Sequence, residues 1–269
     1  MESAFNVEGK IAVITGGAGG IGTAICRQLG RFGATVLIAD VDQAGIDRSV
    51  ATLGAEGIKV FGYTSDSSNE VDVVALFQKI SAEHGTSDIL VNNAFQGFHT
   101  PPQDISLAEW QRVIGVSLTG YFLNAREFGR RAISAKKSAN IVNISSIAGS
   151  SALGRGNFSY SVAKGGINQM TRELAIEWAR SKIRVNAIQP CSVNTPGWQK
   201  WMEQEGDEAR ALTELLISGI PLGRVAEPED IAWAVHFLAS DASSMITGVV
   251  LPVDGGNLAL NAGGSVGNY

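Results

Sequence analysis

Seven short runs of aliphatic and β-branched residues punctuate the chain: KIAVIT (10–15), TVLIAD (35–40), KVFGYT (59–64), DILVNN (88–93), NIVNISS (140–146), IRVNAIQ (183–189) and GVVLPV (248–253). Their near-continuous apolar character suits strands covered on both faces, and the segments between them are long enough for the crossover helices that parallel neighbours require. The alternation predicts an α/β fold, a doubly wound seven-stranded parallel sheet with helices on both faces. With 45% hydrophobic against 17% charged positions, the 269 residues suit one core and a single domain, 1–269. Residues 101–136 and 157–182 read as helical, whereas 191–224 is richer in polar and large aromatic residues and is expected to form a lid. The Gly-rich end, about 258–269, is expected to be a loose tail or an arm packed on another subunit.

Charge narrows the partners. The formal net charge is -5, and lysines and arginines are scattered singly, which leaves no basic stripe for nucleic acid or anionic lipid. The N-terminal stretch carries no basic region followed by an apolar run, and no segment reaches the ~18 apolar residues of a membrane span. A soluble, cytoplasmic protein is expected. Cys26 and Cys191 stand far apart without neighbouring cysteine or histidine, so neither a disulfide framework nor a metal site is expected.

The turn after the first run is Thr15-Gly-Gly-Ala-Gly-Gly-Ile21-Gly22. Gly16, Gly20 and Gly22 would let backbone amides approach a pyrophosphate at a helix N-terminus, with Ile21 among them. Asp40 ends the second run, 18 positions beyond Gly22, where a carboxylate can accept from both adenosine ribose hydroxyls. Val41 follows it instead of a basic residue, and the loop holds no arginine or lysine for a 2′-phosphate. NAD is therefore favoured over NADP in what reads as a Rossmann fold. Asp66, just past the third run, stands where an adenine amino group can be read, though capping of the next helix explains a loop aspartate nearly as well.

Tyr160 and Lys164 lie four residues apart in FSYSVAKGG and should project from one helix face. A tyrosine ionises near ~10 in water, and a cation held beside it favours the phenolate. By itself the spacing also fits a surface helix with a partly buried ring.

Taken together, the glycine loop, the NNA after the fourth run, the paired serines after the fifth and Tyr160-Ser-Val-Ala-Lys164 resemble the short-chain dehydrogenase/reductase family from about residue 7 to 257. The resemblance implies that Tyr160 is the acid/base, that Lys164 lowers its pKa and binds the nicotinamide ribose, and that Ser146 steadies the reacting oxygen, with Ser145 the alternative. It also implies that Asn93 and Ala94 sit beside the adenosine ribose, and that Pro190 to Thr195 hold the carboxamide through the Val193 backbone and the Thr195 hydroxyl. A homo-oligomer, tetramer or dimer, is implied too.

Three positions depart from the family pattern. Ser117 replaces the usual asparagine of the proton relay, where a main-chain carbonyl is expected to serve as well. Phe95 and Cys191 replace glycines, which should tighten the cofactor pocket. For the substrate, Gln96, Phe98, His99, Trp198, Gln199 and Trp201 offer hydrogen bonds and flat apolar surfaces suited to a sugar, sugar acid or polyol, and in the loop before Tyr160, which also holds Asn157, Arg155 stands where it could clamp a carboxylate, phosphate or sulfonate, though a solvated loop arginine explains it as well. The expected activity is NAD-dependent hydride transfer from a secondary alcohol. A 3-oxoacyl-type or other carbonyl reductase and a non-catalytic dinucleotide-sensing scaffold are the alternatives.

Overall fold

The computed structural model describes residues 4–260 and 266. All seven expected strands form: β1 (Ile11–Thr15), β2 (Thr35–Asp40), β3 (Val60–Thr64), β4 (Ile89–Asn92), β5 (Ala139–Ile144), β6 (Ile183–Pro190) and β7 (Val250–Val253). They pair in the order β3-β2-β1-β4-β5-β6-β7, every pair parallel. Among the described residues, eight α-helices connect them: α1 (Gly20–Arg31), α2 (Gln43–Ala55), α3 (Glu70–His84), α4 (Leu107–Ile114), α5 (Gly120–Ser134), α6 (Phe158–Glu177), α7 (Pro196–Ser218) and α8 (Pro228–Ala239).

Period-two alternation along each strand splits the core between the faces of the sheet. Ile14, Val36, Ile38, Val91, Val142 and Ile188 pack with Ile25 and Leu29 of α1 and Ile231 and Val235 of α8. Val13, Leu37, Leu90, Ile141 and Val185 point the other way, against Phe77 and Ile80 of α3 and Leu123 and Phe128 of α5. Strands buried on both faces carry no polar alternation, which is why their runs read as apolar throughout.

The expected lid is a helix. Thr195 caps α7 through its hydroxyl, Pro196 opens it, and Gly206 (φ 55°, ψ −117°) breaks it in the middle. The segment is tied at its base, where Val193 bridges Ala226 and the Asn194 amide donates to the Ala226 carbonyl at 2.8 Å. Where the expected tail begins, Asn257–Ala259 are 3-10 helical, and Asp254 accepts from the Leu258 amide at 2.8 Å. Residues 261–265 and 267–269 of that expectation lie outside the described residues. Among the described residues, no helix is long and apolar enough to cross a membrane.

Candidate active site

The strand order reverses around β1, whose neighbours β2 and β4 lead off in opposite directions, so a crevice opens beyond the carboxyl ends of β1, β2 and β4. A cavity of about 450 Å³ occupies it, lined by Gly16, Gly19 to Gly22, Asp40, Val41, Asp66, Asn93 to Gln96 and Thr195 among others. Gly16 has φ +63°, and a Cβ there would lie 2.8 Å from the Ala94 Cα, so the loop and the end of β4 meet backbone to backbone. A Cβ on Gly22 would collide with the Gly16 carbonyl. Unlike α3, α4 and α7, helix α1 starts without a side-chain cap, which leaves its first amides available to an anion. The residues present therefore fit a dinucleotide.

Asp40 is oriented by its neighbours: its carboxylate accepts from the amides of Ala18 and Asp42, each at 3.1 Å. Val41 beside it is 64% exposed, so no basic side chain occupies that flank. Arg112, on the cavity wall, escaped the sequence reading because it stands far along the chain on α4. Asp66 accepts from the amide and hydroxyl of Ser68, while Asn69 caps α3. Helix capping thus does not account for Asp66. Asn93 donates to the carbonyls of Gly16 (2.9 Å) and Thr15 (3.2 Å), so its amide pins the glycine loop. Thr195 Oγ accepts from the Trp198 amide and remains free to donate. Pro190 belongs to β6 and Val193 is buried at the lid's base; neither lines the cavity.

Tyr160 and Lys164 sit one turn apart in α6, which a chain of buried amides fixes to the sheet. Asn92 donates to Asn143 at 2.9 Å, and Asn143 donates to the Thr171 hydroxyl at 3.0 Å. The two serines after β5 divide their work. Ser145 Oγ donates to Asn168 at 2.7 Å and to the Lys164 carbonyl at 3.2 Å, locking α6. Ser146 Oγ accepts from the Ala148 amide and lines a second cavity of about 250 Å³ together with Tyr160.

The electrostatics differ from the expected phenol–ammonium pair. Burial pushes Tyr160 above its ordinary pKa, and hydrogen bonding to Ser146 only partly offsets this. Burial also pulls the Lys164 ammonium down to about 7. Lys164 is 1% exposed, and its Nζ donates to the Ile144 carbonyl at 2.6 Å and to the Tyr121 hydroxyl at 3.3 Å, while lying 5.4 Å from the centre of the Tyr160 ring. Desolvation outweighs charge pairing among the protein's own groups.

Ser117 lies in a π-helical turn, Gly115–Thr119, and its hydroxyl accepts from the Gln96 amide at 2.9 Å and donates to the Gln96 carbonyl at 3.0 Å. That hydroxyl braces the segment after β4. Of the expected substrate residues, Phe98, His99, Arg155 and Asn157 line the Tyr160 cavity. Gln96 lines the dinucleotide cavity instead. Trp198 and Trp201 face each other at 5.1 Å and line neither cavity, so they staple α7. Phe95 meets the Tyr160 ring edge-on at 6.3 Å, and Cys191, expected at the cofactor wall, borders the smaller cavity. Leu153 and Ile147 complete that wall; as single aliphatic residues they carried no signal in the sequence.

Residues 16–257 match a family model described as enoyl-(acyl carrier protein) reductase, of the short-chain alcohol dehydrogenase type. The chain is 40% identical over 253 residues to cis-4-hydroxycyclohexanecarboxylate dehydrogenase of Sinomonas cyclohexanicum, covering 93% of this chain and 97% of that protein. It is 36% identical to D-threitol dehydrogenase of Mycolicibacterium smegmatis, covering 94% of each. Among solved structures, a candidate NAD(P)-dependent gluconate 5-dehydrogenase from Beutenbergia cavernae, with NADP bound at low occupancy, superposes with TM-score 0.88. It is 33% identical, covering 96% of this chain and 100% of that one.

Proposed function

The chain belongs to the short-chain dehydrogenase/reductase family, oxidoreductases of CH–OH groups, and from that premise we propose an NAD-preferring dehydrogenase for a secondary alcohol of a small sugar, sugar acid or polyol. The observation that carries this reading is one cavity holding Ser146 and Tyr160, with Lys164 one turn behind them on α6. Tyr160 accepts the alcohol proton as the carbinol hydrogen leaves with its electron pair, so alcohol becomes ketone with one proton and one hydride accounted for. A bound oxidised nicotinamide supplies the hydride acceptor and a positive charge that favours the phenolate. Ser146 holds the reacting oxygen, and Lys164, fixed from behind by Ile144 and Tyr121, presents its charge beneath Tyr160. Ser117 acts by bracing Gln96.

Asp40 supports the NAD preference: its aligned carboxylate accepts from ribose hydroxyls and repels a 2′-phosphate. Gly16, Gly20, Ile21 and Gly22 cradle the pyrophosphate, Asp66 meets the adenine, Asn93 and Ala94 set the ribose floor, and Thr195 donates to the carboxamide. A homo-oligomer, dimer or tetramer, is supported by the apolar outer face of α6, where Phe158, Val162 and Ile176 are exposed.

The test measures initial rates with NAD and NADP, at equal concentration, across sugars, sugar acids and polyols. Tyr160→Phe should lower turnover by roughly 10²-fold or more while NAD binding persists. Retained turnover in that variant would remove Tyr160 from the chemistry, and faster turnover with NADP would overturn the cofactor assignment.

A further inference from the structure

Arg155 is the one part-buried arginine whose guanidinium meets no acceptor among the described residues. Its counterparts show what such a group normally requires. Arg184, similarly withdrawn from water, donates to the carbonyls of Ile246, Leu238 and Ser240, and Arg131 donates to Glu127 at 2.6 Å. A partly desolvated guanidinium that no protein group answers keeps its donors available to an external acceptor.

The loop around it is fastened. Gly154 (φ +66°) and Gly156 (φ +70°) bend the chain on either side of Arg155. His99 Nδ1 lies 3.2 Å from the Arg155 carbonyl, and the Thr100 amide donates to the Gly156 carbonyl at 3.2 Å. A Cβ at Gly156 would come within 3.0 Å of the His99 carbonyl carbon, so the loop seats directly on the segment that follows β4. These contacts hold Arg155 on the wall of the cavity that contains Tyr160 and Ser146. Asn157 is on the same wall, and its Oδ1 is buried without a donor among the described residues. Among the described residues no aspartate or glutamate lines this cavity, and its remaining surface includes Phe95, Phe98, Ile147 and Leu153.

We propose that Arg155 and Asn157 select a small hydroxylated organic anion, the guanidinium clamping a carboxylate or sulfonate and the Asn157 carbonyl taking a hydroxyl proton, while the secondary alcohol faces Tyr160. This deepens the dehydrogenase reading and rests on it. Planar, bidentate donation is what a guanidinium offers an oxyanion, and a neutral polyol leaves those donors unanswered. The cavity, about 250 Å³, lies at the small end of ligand pockets, which limits the anion to a compact skeleton.

The experiment compares matched pairs that differ in one terminal group: D-gluconate against D-glucitol, a terminal sugar sulfonate against its parent sugar, and a sugar phosphate against the same parent. The ratio of kcat/KM, anion over neutral, should exceed one for the carboxylate or sulfonate arm and fall roughly 10²-fold in Arg155→Ala, mainly through KM. Arg155→Lys should recover part of the ratio, since it restores charge without the planar fork. A ratio unmoved by Arg155→Ala, or a preference for neutral polyols in the unaltered enzyme, overturns the clamp. Preference for the phosphate arm alone overturns the choice of carboxylate or sulfonate. Should none of the pairs turn over, calorimetric titration of D-gluconate and the sulfonate into the protein with NADH decides the clamp separately. Binding lost in Arg155→Ala sustains it, and equal or absent binding in both proteins overturns it. Activity surviving Tyr160→Phe would instead refute the dehydrogenase mechanism while leaving the anion ratio interpretable.

Discussion

The Lys164 ammonium lies 3.3 Å from the Tyr121 hydroxyl and 5.2 Å from the centre of the Tyr121 ring, so a second buried phenol backs the lysine. Tyr121 is 1% exposed and donates its own proton to the Ile144 carbonyl at 2.9 Å, which leaves its oxygen free to accept from Nζ. Removing that acceptor disfavours the ammonium, and a weaker ammonium makes the Tyr160 phenolate harder to form. Tyr121→Phe should therefore move the acidic limb of kcat/KM for alcohol oxidation to higher pH, by roughly 0.5–1 unit given what a hydrogen bond to a charged group contributes. A pH–rate profile scaled down without displacement would reduce Tyr121 to packing.

The same burial has a consequence for stability. Lys164 binds its proton less tightly in the folded protein, at about 7 against 10.5, so between these values the unfolded chain carries more protons and stability rises with pH. The penalty is full below pH 7. Lys164→Met should raise the melting temperature at pH 7, and the gain should shrink as the pH approaches 9.5. Tyr121 still donates to the Ile144 carbonyl in that variant, so no new buried acceptor is orphaned. A melting-temperature difference independent of pH would show that Lys164 is charged throughout.

In the proposed enzyme, cofactor choice rests on Asp40 and its neighbour. Asp40→Ala combined with Val41→Arg removes the carboxylate proposed to meet the ribose and places a guanidinium on the exposed flank. The ratio of specificity constants, NADP over NAD, should rise by on the order of 10²-fold. Steady-state kinetics with both nicotinamides checks it; an unmoved ratio would mean that other residues, Arg112 first among them, set the preference.

The inner strands were legible because both of their faces are buried, so Ile11 to Thr15 or Thr35 to Asp40 leave no polar alternation to mislead. The glycine loop was legible for a related reason: close backbone approach, as at Gly16 over Ala94, admits no side chain. The lid was less so. Its polar, aromatic composition marked an excursion but did not say that Trp198 and Trp201 turn to each other, because an amphipathic helix and a binding loop use the same residues. The burial around Tyr160 was hidden for a different reason. Spacing shows that Lys164 is near but is silent on desolvation, which depends on Tyr121, Ile144 and the depth of the sheet edge, all distant in sequence.

Adjacent serines after β5 give the sharpest separation of structure from chemistry. Ser145 Oγ ties β5 to α6 through Asn168 and the Lys164 carbonyl and is 2% exposed. Ser146 Oγ borders the cavity that holds Tyr160, where it accepts from the Ala148 amide and hydrogen-bonds to Tyr160. Ser145→Ala leaves the Asn168 carbonyl without its donor, so it should lower stability by about 1–2 kcal/mol and slow turnover only as far as α6 loosens. Ser146→Ala should do the opposite, cutting kcat by roughly 10²-fold or more through loss of a donor to the reacting oxygen while the melting temperature stays within a degree or two. Thermal melts and single-turnover rates on both variants decide it, and a reversed pattern would exchange the two assignments.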